Sequence, residues 1–133
     1  WIHYYMTTIQ MSAEIIQVFL MLRNQVKIYH WQTHSFARHK ATDDLTAQLD
    51  TLIDTFVETY MGKYGRPKIT SKYSTLKLYD SHDKTAHRMI EEGVRWMERD
   101  LPKLLKKEDT DLANIRDEIV GELNKIRYLF TLK

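Results

Sequence analysis

Residues 39–60 read HKATDDLTAQLDTLIDTFVETY, and the spacing within that stretch decides the fold. Leu45, Leu49, Leu52, Ile53, Phe56 and Tyr60 recur at steps of three and four, the repeat of one helix face. Gly62 and the turn-forming Lys63-Tyr64-Gly65-Arg66-Pro67 bring the pattern to a stop, so it predicts a helix over 36–61. At about 100° per residue, His39, Asp43, Asp50 and Asp54 fall within a stripe of about 60°, with Glu58 at its edge. The apolar residues centre about 120° away, which places the acidic stripe beside the core-facing side and not opposite it. Carboxylates stacked at four-residue spacing repel one another, and a cation would relieve that repulsion.

Upstream, Met11, Ile15, Val18, Phe19, Leu22, Val26 and Tyr29 keep the same period and predict a first helix over 12–32, with Ser12 as its cap and Glu14 in its first turn. Downstream, Ala86, Ile90, Val94, Met97 and Leu101 mark a third helix that Pro102 ends or kinks. Leu112, Ile115, Ile119, Leu123, Ile126 and Phe130 mark a fourth, opened by Asp109-Thr110-Asp111. No segment carries a strand pattern. Four amphipathic helices, each about 30 Å long, predict an all-α four-helix bundle. The short links within the first and last pairs predict antiparallel hairpins. The link from Gly62 to Asp80 is long enough to return along the bundle, the ferritin-like plan with one long crossover between helices two and three. A short helix around Ser74 to Tyr79 is expected inside it. The expected organisation is an N-terminal tail over 1–11, with Met6 the natural start and residues 1–5 not native, followed by the bundle over 12–131.

The 133 residues make room for one domain. The absence of cysteine removes disulfides, thiolate zinc sites, iron–sulfur clusters and cysteine nucleophiles, so any metal is held by nitrogen and oxygen. Four glycines and two prolines assemble no phosphate loop or dinucleotide fingerprint. The net charge of +2 is too even for bulk attraction to nucleic acid or anionic lipid. With neither a spanning segment nor a signal peptide, an intracellular protein with no membrane partner is expected.

His30, in Tyr29-His30-Trp31, lies beside the apolar stripe of the first helix and near the turn to the second, where it can converge with His39. Imidazole with several carboxylates suits iron, manganese or zinc, with iron the first choice. A histidine at a helix end also serves as a cap or a packing group, and an acidic helix face is also an ordinary solvated one. The Glu-x-x-His pattern of a central di-iron bundle occurs nowhere in the chain.

The string Tyr29-His30-Trp31-Gln32-Thr33, followed by His39-x-x-x-Asp43 and, fifteen positions after His39, Asp54-x-x-x-Glu58, resembles the ferroxidase signature of the Dps family, the miniature ferritins that protect DNA in starved cells. The segments Thr110–Asn114 and Glu118–Leu123 are similar to that family's last helix, so the resemblance spans roughly 12–131. It implies a hollow homododecamer that oxidises Fe(II) with hydrogen peroxide or dioxygen and stores ferric iron. His30, His39 and Asp43 of one subunit would face Asp54 and Glu58 of a two-fold partner, the imidazoles binding iron and the carboxylates bridging and neutralising it. Trp31 and nearby tyrosines would pass electrons or simply pack. Asp109, Asp111 and Asp117, with Glu108, would line pores for iron entry, although acids at a helix start are also expected from the dipole alone. DNA contact would fall to Lys63, Arg66, Lys68 and Lys72, or to Lys103, Lys106 and Lys107, since neither end of the chain is a lysine-rich tail. His30 and His39 stand only nine apart, closer than in the family, which shortens the first loop and makes His34 the alternative ligand. The brevity is similar to that of small ferritin-like proteins of large DNA viruses. Localisation would be cytoplasmic or nucleoid-associated, or in a host cell or virion. The competing expectation is a non-catalytic ferritin-fold assembly protein that compacts nucleic acid or builds a particle.

Overall fold

The structure, a computed structural model, describes residues 2–133, with side chains from Ala13 onward. The first helix begins at Ile2, so residues 2–11, expected as a tail, are helical, and Ser12, the expected cap, lies within the helix and not at its start. Among the described residues there are four α-helices and no strand: α1 (Ile2–Gln32), α2 (Phe36–Tyr64), α3 (Ala86–Arg95) and α4 (Thr110–Leu129). α1 packs on α2 and α3, and α4 packs on the same two, so the helices form a ring in the order α1, α2, α4, α3. The periodic apolar residues fill its centre. Phe19 of α1 meets the edge of Phe56 of α2 at 5.0 Å and Trp96 at 5.8 Å, while Leu49, Ile90, Leu112, Ile119 and Leu123 are fully buried. Each such side chain stabilises the bundle by about 1.5–3 kcal/mol on burial.

Chain punctuation sets the helix ends. Thr33 N–H closes α1 on Tyr29 O at 2.9 Å, and two residues later the Ser35 hydroxyl caps α2 by accepting from Arg38 N–H at 3.2 Å. α2 passes through Gly62, the expected stop, and ends at Gly65, whose φ of 92° lies in the left-handed region and whose N–H returns to Met61 O at 2.8 Å. The third helix, expected to continue unbroken to Leu101, instead widens after Arg95 into a π turn (Trp96–Asp100) and then a 3-10 turn (Leu101–Leu104). Pro102 explains this. Its ring would clash with the carbonyl four residues back, and the chain opens by one residue beforehand, with Leu101 N–H bonding Trp96 O.

The connection over 65–85 holds a single 3-10 turn at Ser71–Tyr73, not a helix at Ser74 to Tyr79. Beyond that turn, glutamines of α1 take over the bonds a helix would have made internally. Gln17 donates to Thr75 O at 2.9 Å. Gln25 donates to Tyr79 O at 2.6 Å and accepts from Tyr79 N–H at 3.2 Å, as a strand rung would. Gln32 accepts from Ser81 N–H at 2.7 Å and donates to Asp80 at 3.0 Å. Partners rise together along both segments, so this strap runs beside α1 in the same direction, toward the turn that joins α1 to α2. α3 starts there. α4 finishes there too, since Arg38 donates to Phe130 O at 3.0 Å. No helix among the described residues is long and apolar enough to cross a membrane.

Candidate functional site

His30 sits in the last turn of α1 and His39 in the first turn of α2, and the three-residue turn between the helices stacks their rings 3.9 Å apart at 17°. Each ring is tied to the backbone of the other: His30 Nδ1 lies 2.8 Å from His39 O, and His39 Nδ1 lies 2.8 Å from His30 O. A carbonyl oxygen only accepts, so each Nδ1 carries the hydrogen, and in the neutral ring each Nε2 is left with a lone pair. Metal-binding histidines are oriented in this way, by a second bond from the ring nitrogen that does not bind. Thr42, buried one turn beyond Arg38, lies 3.1 Å from His30 Nδ1 and donates its own hydrogen to Arg38 O at 2.7 Å. Sequence reading passed over Thr42. The signal was present in its place three residues after His39, on the same face.

His34 is elsewhere. It is exposed in the turn, and its backbone N–H donates to Asp83 at 3.1 Å. The structure therefore brings His30, not His34, against His39 across the three-residue turn.

Asp43, Asp54 and Glu58 are exposed on α2, and none makes a hydrogen bond or ion pair among the described residues. Asp50, on the same stripe, is neutralised by Arg23 of α1 at 2.8 Å, and that bond raises the Arg23 pKa. Asp54 borders an open groove of about 400 Å³ between α1 and α2, floored by Phe19, Ile53 and Val57. At 1.5 Å per residue, His39 and Asp54 stand about 22 Å apart along α2 and cannot hold one ion within one chain. Among the described residues no three His, Asp or Glu side chains of this chain form a metal-sized cluster.

Behind the histidines the turn is fastened by a polar network unforeseen from sequence. Asp83 accepts from Thr33 Oγ1 at 2.6 Å, Tyr29 OH at 2.7 Å and the His34 amide. Arg38 donates to Tyr29 OH at 2.7 Å and to Asp83 O at 2.8 Å, with its guanidinium 4.6 Å from the Phe130 ring. Burial pushes the Asp83 pKa up, but the donated bonds and the Arg38 charge outweigh it and hold the carboxyl below its ordinary value. Burial raises the Tyr29 pKa.

At the opposite end of the bundle, Asp109 is buried and not solvent-facing as a pore acid would be. It pairs with Lys63 and lies 2.7 Å from Tyr64 OH through both carboxylate oxygens, with the Lys106 amide donating at 2.8 Å. Burial opposes ionisation of Asp109, and these bonds overcome it, so its pKa is lowered. Burial and then Asp109 raise the Tyr64 pKa, and Asp109 followed by Asp111 raise that of Lys63. Asp111 is exposed on Lys63 at 2.8 Å, and Asp117 is exposed on Arg116 at 2.8 Å. Of the basic residues expected to meet nucleic acid, Lys63 is thus committed to carboxylates, while Arg66, Lys68 and Lys72 are exposed.

Residues 30–130 match the model of a family of unknown function (DUF5856), a match that begins at His30 and takes in both histidines and all three unpaired carboxylates. No curated protein and no solved structure matches the chain. The chain belongs to the DUF5856 family.

Proposed function

We propose that this DUF5856 member is a Dps-like miniature ferritin, which binds and oxidises Fe(II) at sites shared between subunits of a homododecamer and stores the ferric product inside it. The observation that carries this reading is the mutual lock of His30 and His39, which leaves a lone pair on each neutral Nε2, one turn from the unpaired Asp43 and on the helix that carries the unpaired Asp54 and Glu58 farther along. A two-fold axis level with Gln48 and Leu49 would set His39 opposite the partner's Glu58 and Asp43 opposite the partner's Asp54. Each half of the site then supplies what the other lacks. In this reading the bundle is ferritin-like and the strap over 74–81 is its crossover, a role supported by the glutamine bonds that carry it along α1. Each ferrous ion gives up one electron, so two ions reduce one hydrogen peroxide to two hydroxides, and removal of both reactants protects nearby DNA. The histidines orient and bind; the carboxylates offset the charge gained on oxidation.

Anaerobic protein supplied with Fe(II) and then peroxide tests the reading. Expected are rapid ferric absorbance and iron that co-elutes with a particle of about twelve times 16.0 kDa. An assembled particle that neither binds nor oxidises iron would overturn it and leave the non-catalytic assembly protein.

A further inference from the structure

Away from α1 and α2, the outer face of α3 and its π turn forms a recess of about 280 Å³ with the last turns of α4, lined by Glu91, Val94, Arg95, Glu98, Arg99 and Arg127. Three guanidinium groups thus border one concavity. Arg95 and Arg99 are exposed and make no hydrogen bond or ion pair among the described residues, although two glutamates stand beside them. Arg127 is only loosely engaged, 3.8 Å from Glu91 and 3.4 Å from Asn124 Oδ1. This contrasts with the chain's other arginines at helix contacts: Arg23, Arg38 and Arg116 all hold acceptors at 2.7–2.8 Å. Sequence spacing alone would pair Glu91 with Arg95 across one helical turn. Glu98 and Arg99, seven and eight residues after Glu91, fall on the same face and line the same recess.

We propose that this recess is a binding site for a phosphate-type oxyanion, held by Arg95, Arg99 and Arg127. A guanidinium presents a planar fork of donors that matches the oxygens of a phosphate, and several such forks around one concavity repel each other until an anion arrives. Glu91 and Glu98 tune the site. They keep its net charge low, which keeps the empty site from destabilising the bundle. The same chemistry is offered by a free oligophosphate and by the phosphodiester backbone of a nucleic acid. The site is independent of the iron reading, because it shares no residue with α1 or α2.

The test is calorimetric titration of the full chain, without iron, with sodium tripolyphosphate and separately with a short single-stranded oligonucleotide. The expected result is saturable binding of at least one of them that R95Q/R99Q weakens about tenfold or more, the loss expected for removal of charge-assisted forks. Binding should also fall as salt rises. Since Arg95 and Arg99 have no hydrogen-bond or ion-pair partners to lose among the described residues, the variant should keep its circular dichroism and its elution volume. The variant K77Q, an exposed lysine in the distant connection with no part in either site, should bind as the parent does. Tripolyphosphate bound and oligonucleotide not identifies a free anion; mutual competition identifies the phosphodiester as a second source. Binding of neither probe, or equal binding by R95Q/R99Q, would overturn the proposal.

Discussion

Asp83 and Asp54 are both aspartates within reach of α1, yet the chain treats them in opposite ways. Asp83, in the last stretch before α3, accepts from a tyrosine, a threonine and a backbone amide, with Arg38 alongside. Asp54, like Asp43 and Glu58, is exposed on α2 and accepts nothing from its own chain. A carboxylate whose lone pairs are filled from within holds segments together; a row left unfilled at helical spacing costs repulsion and is available to something else. That difference separates the fastening of this bundle from its candidate chemistry, and each half of it can be broken separately.

The largest effect is expected from Arg38→Ala. It removes the donor to Tyr29, Asp83 O and Phe130 O at once, leaving the Asp83 carboxylate part-buried with less compensating charge. Loss of one member of such a network costs about 3 kcal/mol, so the denaturant midpoint should fall sharply. The bond from Thr42, which meets His30 Nδ1, goes to the backbone carbonyl of Arg38 and survives the substitution, so the stacked histidines should be disturbed less than the turn. A midpoint shifted by less than about 0.5 kcal/mol, the range of ordinary surface substitutions, would show that the turn is held by packing alone.

On the other side, Asp54→Asn with Glu58→Gln should leave stability unchanged or raised, since two unpaired negative charges disappear from a stripe already rich in them. If the proposed intersubunit site is right, ferrous oxidation should slow by about 100-fold, the upper range for groups that bind or orient a metal. Stopped-flow absorbance measures it. Unchanged kinetics in an intact particle would move iron handling away from α2.

Acid sharpens the comparison further. Asp83 and Asp109 both have folded pKa values below the unfolded value of about 3.9, so the folded state holds their protons less tightly than the unfolded one. The stability they contribute is full above that value and is lost as pH falls through the lower folded values. Thermal midpoints should therefore hold from neutrality down to about pH 5 and drop below about pH 4, and Asp109→Asn should flatten part of that drop. A midpoint that stays level to pH 3 would mean that neither carboxylate is held ionised by its partners.

How much of this was legible in the sequence follows from the range of each interaction. The four helices were, because apolar residues three and four apart report a neighbouring surface without naming it. The acidic stripe and His39 were, because they share one helix with a known angular step. Asp83 with Arg38, or Asp109 with Lys63, could not be read, since each pair joins segments 45 or 46 residues apart and no local period relates them. The strap was half legible. Gln17, Gln25 and Gln32 fall within about 80° on one face of α1, an unusual amide stripe that in hindsight marks an extended chain needing rungs. The place where Pro102 would interrupt a helix was evident, but not the π turn before it, because widening and breaking relieve the same clash.

The smallest effect expected is at His34, and it bears on the one position where sequence left two candidates open. Its side chain is exposed in the turn, and what ties it to Asp83 is its backbone N–H, which any residue but proline would provide. His34→Ala should thus change stability by no more than about 0.5 kcal/mol and, if the proposed ferrous oxidation holds, leave its rate as it was. His30→Ala is the matched control: it deletes a buried ring stacked on His39 and the Nδ1 bond that fixes it, and should lose both stability and initial rate. So tight a turn could have driven His30 off its helix register. It does not, because Thr33 still closes α1 on Tyr29 and Ser35 already caps α2, so the turn is completed within residues 33–35 and both helices keep their ends. Should His34→Ala alone abolish oxidation in the intact particle, the ligand would sit in the turn after all, and the stacked pair would be a packing device for it.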